Sequence, residues 1–360
     1  MRIIVKIGTS SVTAADGHVD TQALMKLTNE VVNARRAGHE VVVVTSGAIT
    51  AGVQRLGIDR PTEPEMLQAL SAVGQIDLMR VYSELLDRHG LACGQVLLAP
   101  HDFRDRNQYL HAKTTFEHLL GLGVVPIVNE NDAVADDAIR FGDNDRIAAL
   151  VANLLAADLL ILLTDTDGVL SADPRQDPEA TLIEEIREFD HEVEQAAGAA
   201  GLRGSGGMAS KLAAAKMASW SGVRTVIAAA TRPGVVQDAV EGHSGIGTSV
   251  AARSARISAR KLWIGFAVQS AGTVVVDDGA RSALLERGRS LLPAGVIGVD
   301  GEFGSNEAVD VVGPSGAVFA KGLVGMGSAA LRGAMGRRSD DLEPGTPLLV
   351  IHADDLVLLP

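Results

Sequence analysis

Aromatic side chains are scarce in this sequence, since Phe, Trp and Tyr together make up 3% of its 360 residues. Stacking of nucleic-acid bases on exposed rings is therefore not expected to be a main mode of binding. Cysteine is almost absent as well. Cys93 stands alone, which excludes an internal disulfide, and no Cys/His cluster indicates a structural zinc site.

Positive charge is also in short supply, and the formal net charge is −13. This balance argues against a nonspecific binder of nucleic acids or membrane surfaces. No apolar run reaches transmembrane length, and the N-terminus enters a strand without a signal-peptide pattern. These features predict a cytoplasmic protein without a membrane partner, built from one large domain or two.

The opening residues combine an apolar strand with a lysine. The run of Ile and Val at residues 3–7 contains Lys6 and ends at Gly8, Thr9 and Ser10. Such a run predicts a buried strand of a parallel sheet. Because lysine is rarely buried without a partner, Lys6 either reaches water at the sheet edge or enters a cleft. In a cleft, its ammonium group and the backbone amides of the turn would suit a phosphate chain.

A helix over residues 20–36 and a valine-rich strand at residues 40–45 follow, and the strand runs into Ser46 and Gly47. Strand, helix and strand with a polar turn at the carboxyl end form a βαβ unit, which binds ligands at that edge of the sheet. The alternative is that Ser46 and Gly47 serve only as a helix cap and a turn.

Four polar residues, Asn-Glu-Asn-Asp at 129–132, come directly after a strand predicted at residues 124–128. A solvated loop does not need so many polar side chains, so we predict a ligand site here. Asn side chains donate and accept hydrogen bonds and Asp accepts them. The run therefore suits a small ligand that carries an ammonium group and a carboxylate.

A second polar cluster, Asp143-Asn144-Asp145, precedes a helix predicted over residues 146–156. Asp143 is a candidate helix cap, but capping requires only one of the three residues. A strand predicted at residues 159–163 then ends in further polar residues, Thr-Asp-Thr-Asp-Gly at 164–168. Part of that run is explained by turn formation, because Asp-Gly is a hairpin signal.

A glycine-rich run, Gly-Ser-Gly-Gly-Met-Ala-Ser-Lys at residues 204–211, leads into a predicted helix. Glycines allow a phosphate to approach the backbone, and the helix N-terminus adds its dipole. Lys211 would lie in the first turn, where the dipole disfavours a cation unless an anion is bound. The run lacks the residue order of a Walker A loop, and the alternative interpretation is a flexible hinge.

The C-terminal part changes character, with short valine-rich strands and glycine-rich turns that predict a small β-rich module. We predict one domain at residues 1–255, a linker at 256–270 and the module at 271–350. Residues 271–360 contain seven Lys and Arg against twelve Asp and Glu, a net charge of −5. RNA binding is therefore unlikely here unless Arg332, Arg337 and Arg338 form a local basic patch.

Together these motifs resemble the amino-acid kinase family, and within it the members that phosphorylate L-glutamate and carry a C-terminal PUA domain. The matching stretches are residues 5–10, 44–49, 129–134, 142–145, 163–165 and 206–211. The resemblance implies a three-layer αβα sandwich with a mostly parallel open sheet, followed by a small β-rich PUA-like domain. Arg203, before the glycines, departs from the family pattern.

The reaction implied by the resemblance transfers the γ-phosphoryl group of ATP to the side-chain carboxylate of L-glutamate, with Mg²⁺ bridging the ATP phosphates. Lys6 and Lys211 would flank the transferring group, and Asp145 would hold both lysines. L-Glutamate would be held by Ser46, Asp132 and Asn144. ATP would contact Lys6, Gly8, Thr164, Asp165, Ser205, Gly206, Gly207, Met208, Ala209, Ser210 and Lys211. No protein ligand is assigned to the metal ion.

The resemblance further implies feedback inhibition by proline, assembly into dimers or tetramers, and transient contact with glutamate-5-semialdehyde dehydrogenase. Two alternatives remain open on the sequence. One is another amino-acid kinase, acting on N-acetylglutamate or aspartate, which the polar run at 129–132 and the PUA-like tail disfavour. The other is an RNA-binding or regulatory protein whose kinase fold is inactive, which the lysine pair and Asp145 disfavour.

Overall fold

The structure is a computed structural model that divides into two compact units, residues 1–256 and 257–360. The described residues are 1–14, 17–103, 105–134, 144–172, 177, 179–189, 193, 207–254, 257–342, 345 and 347–359. None of the helices in this part of the chain is long and apolar enough to cross a membrane.

The first unit is built on a large sheet, which has eight strands in the described residues. In chain order these are β1 (Arg2–Ile7), β2 (Glu40–Thr45), β3 (Cys93–Leu98), β4 (Val125–Glu130), β5 (Leu159–Thr164), β6 (Glu185–Ile186), β7 (Arg224–Ala229) and β8 (Thr248–Val250). Across the sheet their order is β3-β4-β2-β1-β5-β7-β8-β6, and only β7 and β8 pair antiparallel. The predicted mostly parallel sheet is confirmed.

Helices connect these strands. They are α1 (Thr21–Arg36), α2 (Ala48–Leu56), α3 (Pro64–Asp87), α4 (Arg106–Gly121), α5 (Asn144–Leu154), α6 (Met208–Trp220) and α7 (Val235–Glu241). The Asp20 carboxylate accepts hydrogen bonds from two backbone N–H groups in the first turn of α1, and Asp105 caps α4 in the same way. Capping of this kind satisfies N–H groups that have no partner inside the helix.

The two faces of the sheet are covered by different helices. Ile3, Val5 and Ile7 of β1 pack in one core with apolar residues of α1, α3 and α7. Since side chains alternate along a strand, Ile4 and Lys6 lie on the opposite face, and α5 is the helix of that layer that contacts β1. Each fully buried Ile or Leu contributes about 1.5–3 kcal/mol to folding. The sheet is thus held between two helical layers.

Strand register brings the carboxyl ends of the central strands to one edge. Ile7 is paired with Thr45 of β2 and with Leu163 of β5, and Thr164 is paired with Ala229 of β7. The polar segments that follow these strands therefore begin side by side. This is the edge at which parallel α/β sheets bind ligands.

Two of the differences between predicted and observed element boundaries concern the site. Strand β4 extends to Glu130, so Asn129 and Glu130 are buried strand residues and not part of a turn. Helix α5 begins at Asn144, two residues earlier than predicted. Asp143, the predicted cap, lies outside the described residues. Polar side chains hid both boundaries, because apolar periodicity is the main signal for a strand or a helix.

The second unit has its own apolar core and a mixed sheet, with the order β10-β9-β11-β12-β13 among its described residues. Its strands are β9 (Gly272–Val276), β10 (Val296–Gly301), β11 (Ala308–Val312), β12 (Val318–Val324) and β13 (Ile351–Leu358). Its helices are α8 (Ala259–Leu262), which continues as a π-helical turn at Trp263–Ala267, α9 (Asp278–Arg287) and α10 (Ser328–Ala334). Helix α8 contacts β13, so residues 259–262 of the predicted linker are helical and belong to this unit.

Candidate active site

Two lysines that are far apart in the sequence meet on one buried carboxylate. The Lys6 Nζ lies 2.7 Å from the Asp145 Oδ1, and the Lys211 Nζ lies 3.4 Å from the Asp145 Oδ2. All three residues are buried, with exposed fractions of 3% for Lys6, 4% for Lys211 and 1% for Asp145. With all three groups ionised, this ion cluster carries one net positive charge, which suits an anionic ligand.

The fold explains how these three side chains converge. Lys6 belongs to β1 and faces α5, whose first turn contains Asp145. Lys211 lies in the first turn of α6, and α6 packs against α5. Gly8 follows β1, and a Cβ atom at this position would lie 3.4 Å from the Lys6 Nζ. The absence of a side chain at Gly8 therefore leaves space beside the ammonium group.

The N-terminus of α6 adds backbone donors close to Lys211. Its cap residue is Gly207, which has no side chain that could accept a hydrogen bond from the first N–H groups. Its first turn contains no acidic residue. The positive end of a helix dipole therefore lies beside Lys211 without a carboxylate in that turn. Helix ends of this type bind phosphate groups.

The end of β7 and the loop after β5 border a cavity of about 340 Å³ that opens to solvent. Its lining residues include Asp167, Ala229 and Thr231. Thr164 is buried beside it in the sheet, paired with Ala229, and its Oγ1 donates a 3.1 Å hydrogen bond to the exposed Asp165. The cavity is large enough to accept part of a small organic ligand.

A network of neutral hydrogen-bonding groups includes Asn144, the residue next to Asp145 of the ion cluster. The Asn144 Nδ2 donates to the Ser46 Oγ at 3.1 Å and to the Asn129 Oδ1 at 3.0 Å. The Asn129 Nδ2 donates to the Gln75 Oε1 at 2.8 Å, and the Glu130 N–H donates to both Asn side chains. This amide network is buried and joins the segment after β2 to β4, α3 and α5. Networks of this kind fix the orientation of every member.

Asp132 is held by a separate contact. It begins a 3-10 turn after β4, and its Oδ2 accepts a 2.7 Å hydrogen bond from the Ser71 Oγ on α3. Burial raises the pKa of Asp132 above its usual range, and the Ser71 hydrogen bond lowers it in part. The other oxygen, Oδ1, is buried without a hydrogen-bond partner among the described residues. A ligand that supplies a hydrogen-bond donor would satisfy this oxygen.

Most of the predicted site residues lie at this edge of the sheet. Lys6, Asp145 and Lys211 form the ion cluster, and Ser46 and Asn144 belong to the amide network. Gly207, Met208, Ala209 and Ser210 form the start of α6. Ser205 and Gly206 lie outside the described residues. Among the described residues, no group of three or more His, Cys, Asp or Glu side chains is placed to hold a metal ion.

The sequence analysis missed Ser71 and Gln75, which contact these side chains, and it placed Asn129 in a polar turn. Asn129 was visible in the polar run after β4, but its burial in the strand was not. Ser71 and Gln75 are spaced four residues apart, which in a helix also fits an exposed polar face. Only the packing of α3 near the end of β4 distinguishes a buried polar pair from an exposed polar face.

Comparison with known proteins assigns both parts of the chain to families. The amino acid kinase family matches residues 1–229, and the PUA domain family matches residues 272–345. A curated glutamate 5-kinase from Herminiimonas arsenicoxydans is 46% identical over 99% of this chain and 98% of its own length. Another from Trichlorobacter lovleyi is 42% identical over 99% of this chain and 96% of its own length.

Solved structures share the fold at much lower identity. A carbamate kinase from Giardia lamblia, bound to AMP-PNP, superposes with a TM-score of 0.52 at 17% identity, covering 70% of this chain and 98% of that one. This likeness concerns the fold alone. The full-length relatives carry the assignment further: the chain belongs to the amino acid kinase family, groups there with the glutamate 5-kinases, and carries a PUA domain in its C-terminal part.

Proposed function

We propose that the chain transfers the γ-phosphoryl group of ATP to the side-chain carboxylate of L-glutamate. The product, L-glutamyl 5-phosphate, is an acyl phosphate and opens proline synthesis. Curated relatives that are 40–46% identical over 99% of the chain carry the name glutamate 5-kinase, which supports this substrate.

One observation carries the proposal: the ion cluster and the amide network meet at two consecutive residues of α5. Asp145 anchors the ion cluster and Asn144 anchors the amide network. A cationic cluster suits the phosphates of ATP, and a neutral network of donors and acceptors suits an amino acid. Their contact through one helix start would bring the two substrates together for an in-line transfer.

The chemistry needs no general base. A glutamate side chain has a pKa of about 4.3, so its carboxylate is already ionised at neutral pH. One carboxylate oxygen attacks the γ-phosphorus, the bond from that phosphorus to the bridging oxygen breaks, and ADP leaves with the electron pair. Catalysis then depends on positioning and on stabilisation of charge at the phosphoryl oxygens.

Lys6 and Lys211 would stabilise that charge, and the N–H groups at the start of α6 would bind the phosphates. Thr164 and Asp165 would hold the nucleotide beside the cavity at the end of β7 and the loop after β5. Mg²⁺, when bound, would neutralise part of the phosphate charge. Because the Asp145 carboxylate is already paired with two ammonium groups, Asp145 would hold the lysines and would not be a ligand of the ion.

Glutamate would be held by Asp132, Ser46 and Asn144. The unpartnered Oδ1 of Asp132 supports a role in accepting the α-ammonium group. The hydroxyl and amide groups of Ser46 and Asn144 can donate to a carboxylate. Proline carries the same α-carboxylate and an α-ammonium group, so feedback inhibition at or near this site is part of the proposal.

Three further expectations stay predictions: a dimeric or tetrameric assembly, transient contact with glutamate-5-semialdehyde dehydrogenase, and a cytoplasmic location. The expectation that the acidic C-terminal unit does not bind RNA also stays a prediction. A band-shift series against RNA at physiological ionic strength would address it, because electrostatic binding falls steeply as salt rises.

The test is a coupled ADP-release assay on the full chain with ATP and Mg²⁺. L-Glutamate, N-acetylglutamate and L-aspartate are compared as acceptors, each with and without proline. We expect turnover with glutamate, little with the other two, and a loss of rate when proline is added. Preferred turnover of either other acceptor would contradict the assignment, and an unchanged rate with proline would remove feedback inhibition from the proposal.

A further inference from the structure

We propose that Ser71 and Gln75 on α3 are positioning residues that orient the amino-acid site, acting through Asp132 and Asn129. This inference rests on the proposed function and deepens it, because it assigns a role in glutamate binding to a helix outside the family motifs found in the sequence.

The two side chains lie on one face of α3, where Ser71 contacts the 3-10 turn after β4 and Gln75 contacts the end of β4. Ser71 and Gln75 are four residues apart, which places them one helical turn from each other. Both are buried, with exposed fractions of 5% and 7%. The Ser71 Oγ donates to the Asp132 Oδ2 at 2.7 Å, and the Gln75 Oε1 accepts from the Asn129 Nδ2 at 2.8 Å.

The Ser71 hydrogen bond decides which carboxylate oxygen is available. It occupies Oδ2 of Asp132, whereas Oδ1 is buried without a partner among the described residues. An unsatisfied buried oxygen is costly, so it favours a ligand that donates a hydrogen bond. Without Ser71 the Asp132 carboxylate could rotate. Binding of an ammonium group would then also have to order the carboxylate, which weakens the affinity.

Gln75 performs the same task for the amide network. By accepting from the Asn129 Nδ2, it fixes which side of the Asn129 amide faces Asn144. The Asn129 Oδ1 then accepts from the Asn144 Nδ2, which also donates to Ser46. The orientation set by Gln75 is thus transmitted to both amide-network residues predicted to hold glutamate.

A very close helix crossing holds α3 in this place. A Cβ atom on Gly74 would lie 1.9 Å from the Ala48 carbonyl oxygen, and one on Gly52 would lie 2.0 Å from the Leu70 carbonyl oxygen. Helix α2 begins two residues after Ser46. The crossing therefore fixes Ser71 and Gln75 against the segment that carries Ser46, on a rigid element as a preorganised site requires.

The experiment measures steady-state kinetics of the full chain with glutamate and ATP varied in turn. Ser71→Ala should raise the KM for glutamate roughly tenfold, with kcat and the KM for ATP within about twofold of wild type. Ser71→Thr, which keeps the hydroxyl, should recover most of the affinity. The matched control is Ser83→Ala. Ser83 is another serine of α3 whose Oγ donates to a carboxylate, but its partner is Asp87 and the contact lies at the surface.

A double-mutant cycle separates positioning from a general structural effect. In the Asp132→Ala background, Ser71→Ala should change the KM for glutamate by less than about twofold, because its only route to the substrate is gone. A full tenfold effect in that background would overturn the proposal, as would an equal rise in the KM values for glutamate and ATP.

Gln75→Leu provides an independent variant should Ser71→Ala fail to fold. It should raise the KM for glutamate and leave the KM for ATP unchanged, and an unchanged KM for glutamate would refute the role of Gln75. Wild-type protein that does not phosphorylate glutamate would instead refute the proposed function. Active wild type with an unaffected Ser71→Ala variant would refute only this inference.

Discussion

The ion cluster and the amide network lie next to each other but are built in opposite ways. The ion cluster consists of three charged side chains from β1, α5 and α6, whereas the amide network contains only neutral groups from β4, α3, α5 and the segment after β2. Charge is what a transferring phosphoryl group requires, and directional hydrogen bonds are what an amino acid requires. Under the proposed function, this difference is what allows one sheet edge to serve two chemically distinct substrates.

Asp145 is the point where a single substitution should damage the ion cluster most. Asp145→Asn leaves Lys6 and Lys211 without their shared buried carboxylate, which costs about 3–5 kcal/mol when one partner of a buried pair is removed. The melting temperature of the full chain should fall by roughly 10 °C. Differential scanning calorimetry measures this change.

The matched control for Asp145→Asn is Glu117→Gln on α4, because Glu117 pairs with Lys113 at the surface. Exposed pairs contribute about 1 kcal/mol or less, so this change should be small. Equal shifts for the two variants would mean that Asp145 does not hold the cluster together.

The lysines should affect turnover more than binding of glutamate. Lys6→Ala or Lys211→Ala should lower kcat on the order of a hundredfold or more, because each removes charge that stabilises the transition state. Lys113→Ala, at the exposed surface pair on α4, should leave kcat unchanged. Steady-state ADP release measures all three. Near-normal turnover in both site variants would remove the proposed roles of the lysines.

The helix crossing beneath the amide network should be sensitive to one methyl group. Gly74→Ala places a Cβ atom 1.9 Å from the Ala48 carbonyl oxygen, so α2 and α3 must separate. We expect a fall in melting temperature of roughly 5 °C, from an overpacking cost of about 1–3 kcal/mol, together with a higher KM for glutamate.

Gly121→Ala is the matched control for Gly74→Ala, because it also changes a helical glycine but has nothing within 4 Å of the added atom. Thermal melting of both variants is the measurement. A Gly74→Ala protein as stable as Gly121→Ala would show that the crossing is not tight.

Asp132 should separate the two substrates. Asp132→Ala should raise the KM for glutamate roughly tenfold or more, since a hydrogen bond to a charged group contributes about 1.5–3 kcal/mol. The KM for ATP should change little, because Asp132 does not belong to the ion cluster. An equal rise in both KM values would show that the substrate assignment is wrong.

The smallest expected effect is a pH dependence of glutamate use. Burial raises the pKa of Asp132, so its carboxylate is lost as the pH falls, and at a higher pH than for an exposed Asp. At saturating ATP, kcat/KM for glutamate should therefore fall as the pH is lowered from neutral, since this parameter reports the ionisation of the enzyme–ATP complex that glutamate meets. Asp132→Asn cannot titrate, so its profile should lack this decline. An identical decline in both proteins would assign it to another group.

Much of the fold was predictable because the central strands are runs of Ile, Leu and Val. The strands that became β1, β2 and β5 were found in this way, and their polar carboxyl ends indicated the site. Near the C-terminus the sequence contains two separate apolar runs, at residues 348–351 and 356–359. Strand β13 takes in only Ile351 of the first run but residues 356–358 of the second, and it continues without a break through Asp354 and Asp355. Charged residues on an exposed strand face conceal continuity of this kind.

The amide network was only partly predictable. Ser46 and Asn144 follow apolar strands or precede a helix, so their positions are marked in the sequence. Ser71 and Gln75 carry no such mark, because their role depends on α3 crossing α2 at two glycines. Tertiary packing of that kind leaves no periodic signal, and the helical pattern alone allows either a buried or an exposed face.

The central claim is that the ion cluster serves the nucleotide and that Asp132, with the amide network, serves the amino acid. Isothermal titration calorimetry of wild type, Lys211→Ala and Asp132→Ala, each against glutamate and a non-hydrolysable ATP analogue with Mg²⁺, tests it most directly. We predict that Lys211→Ala weakens binding of the analogue and keeps glutamate binding, while Asp132→Ala does the reverse. Loss of both ligands in each variant, or loss of the opposite ligand, would contradict the account.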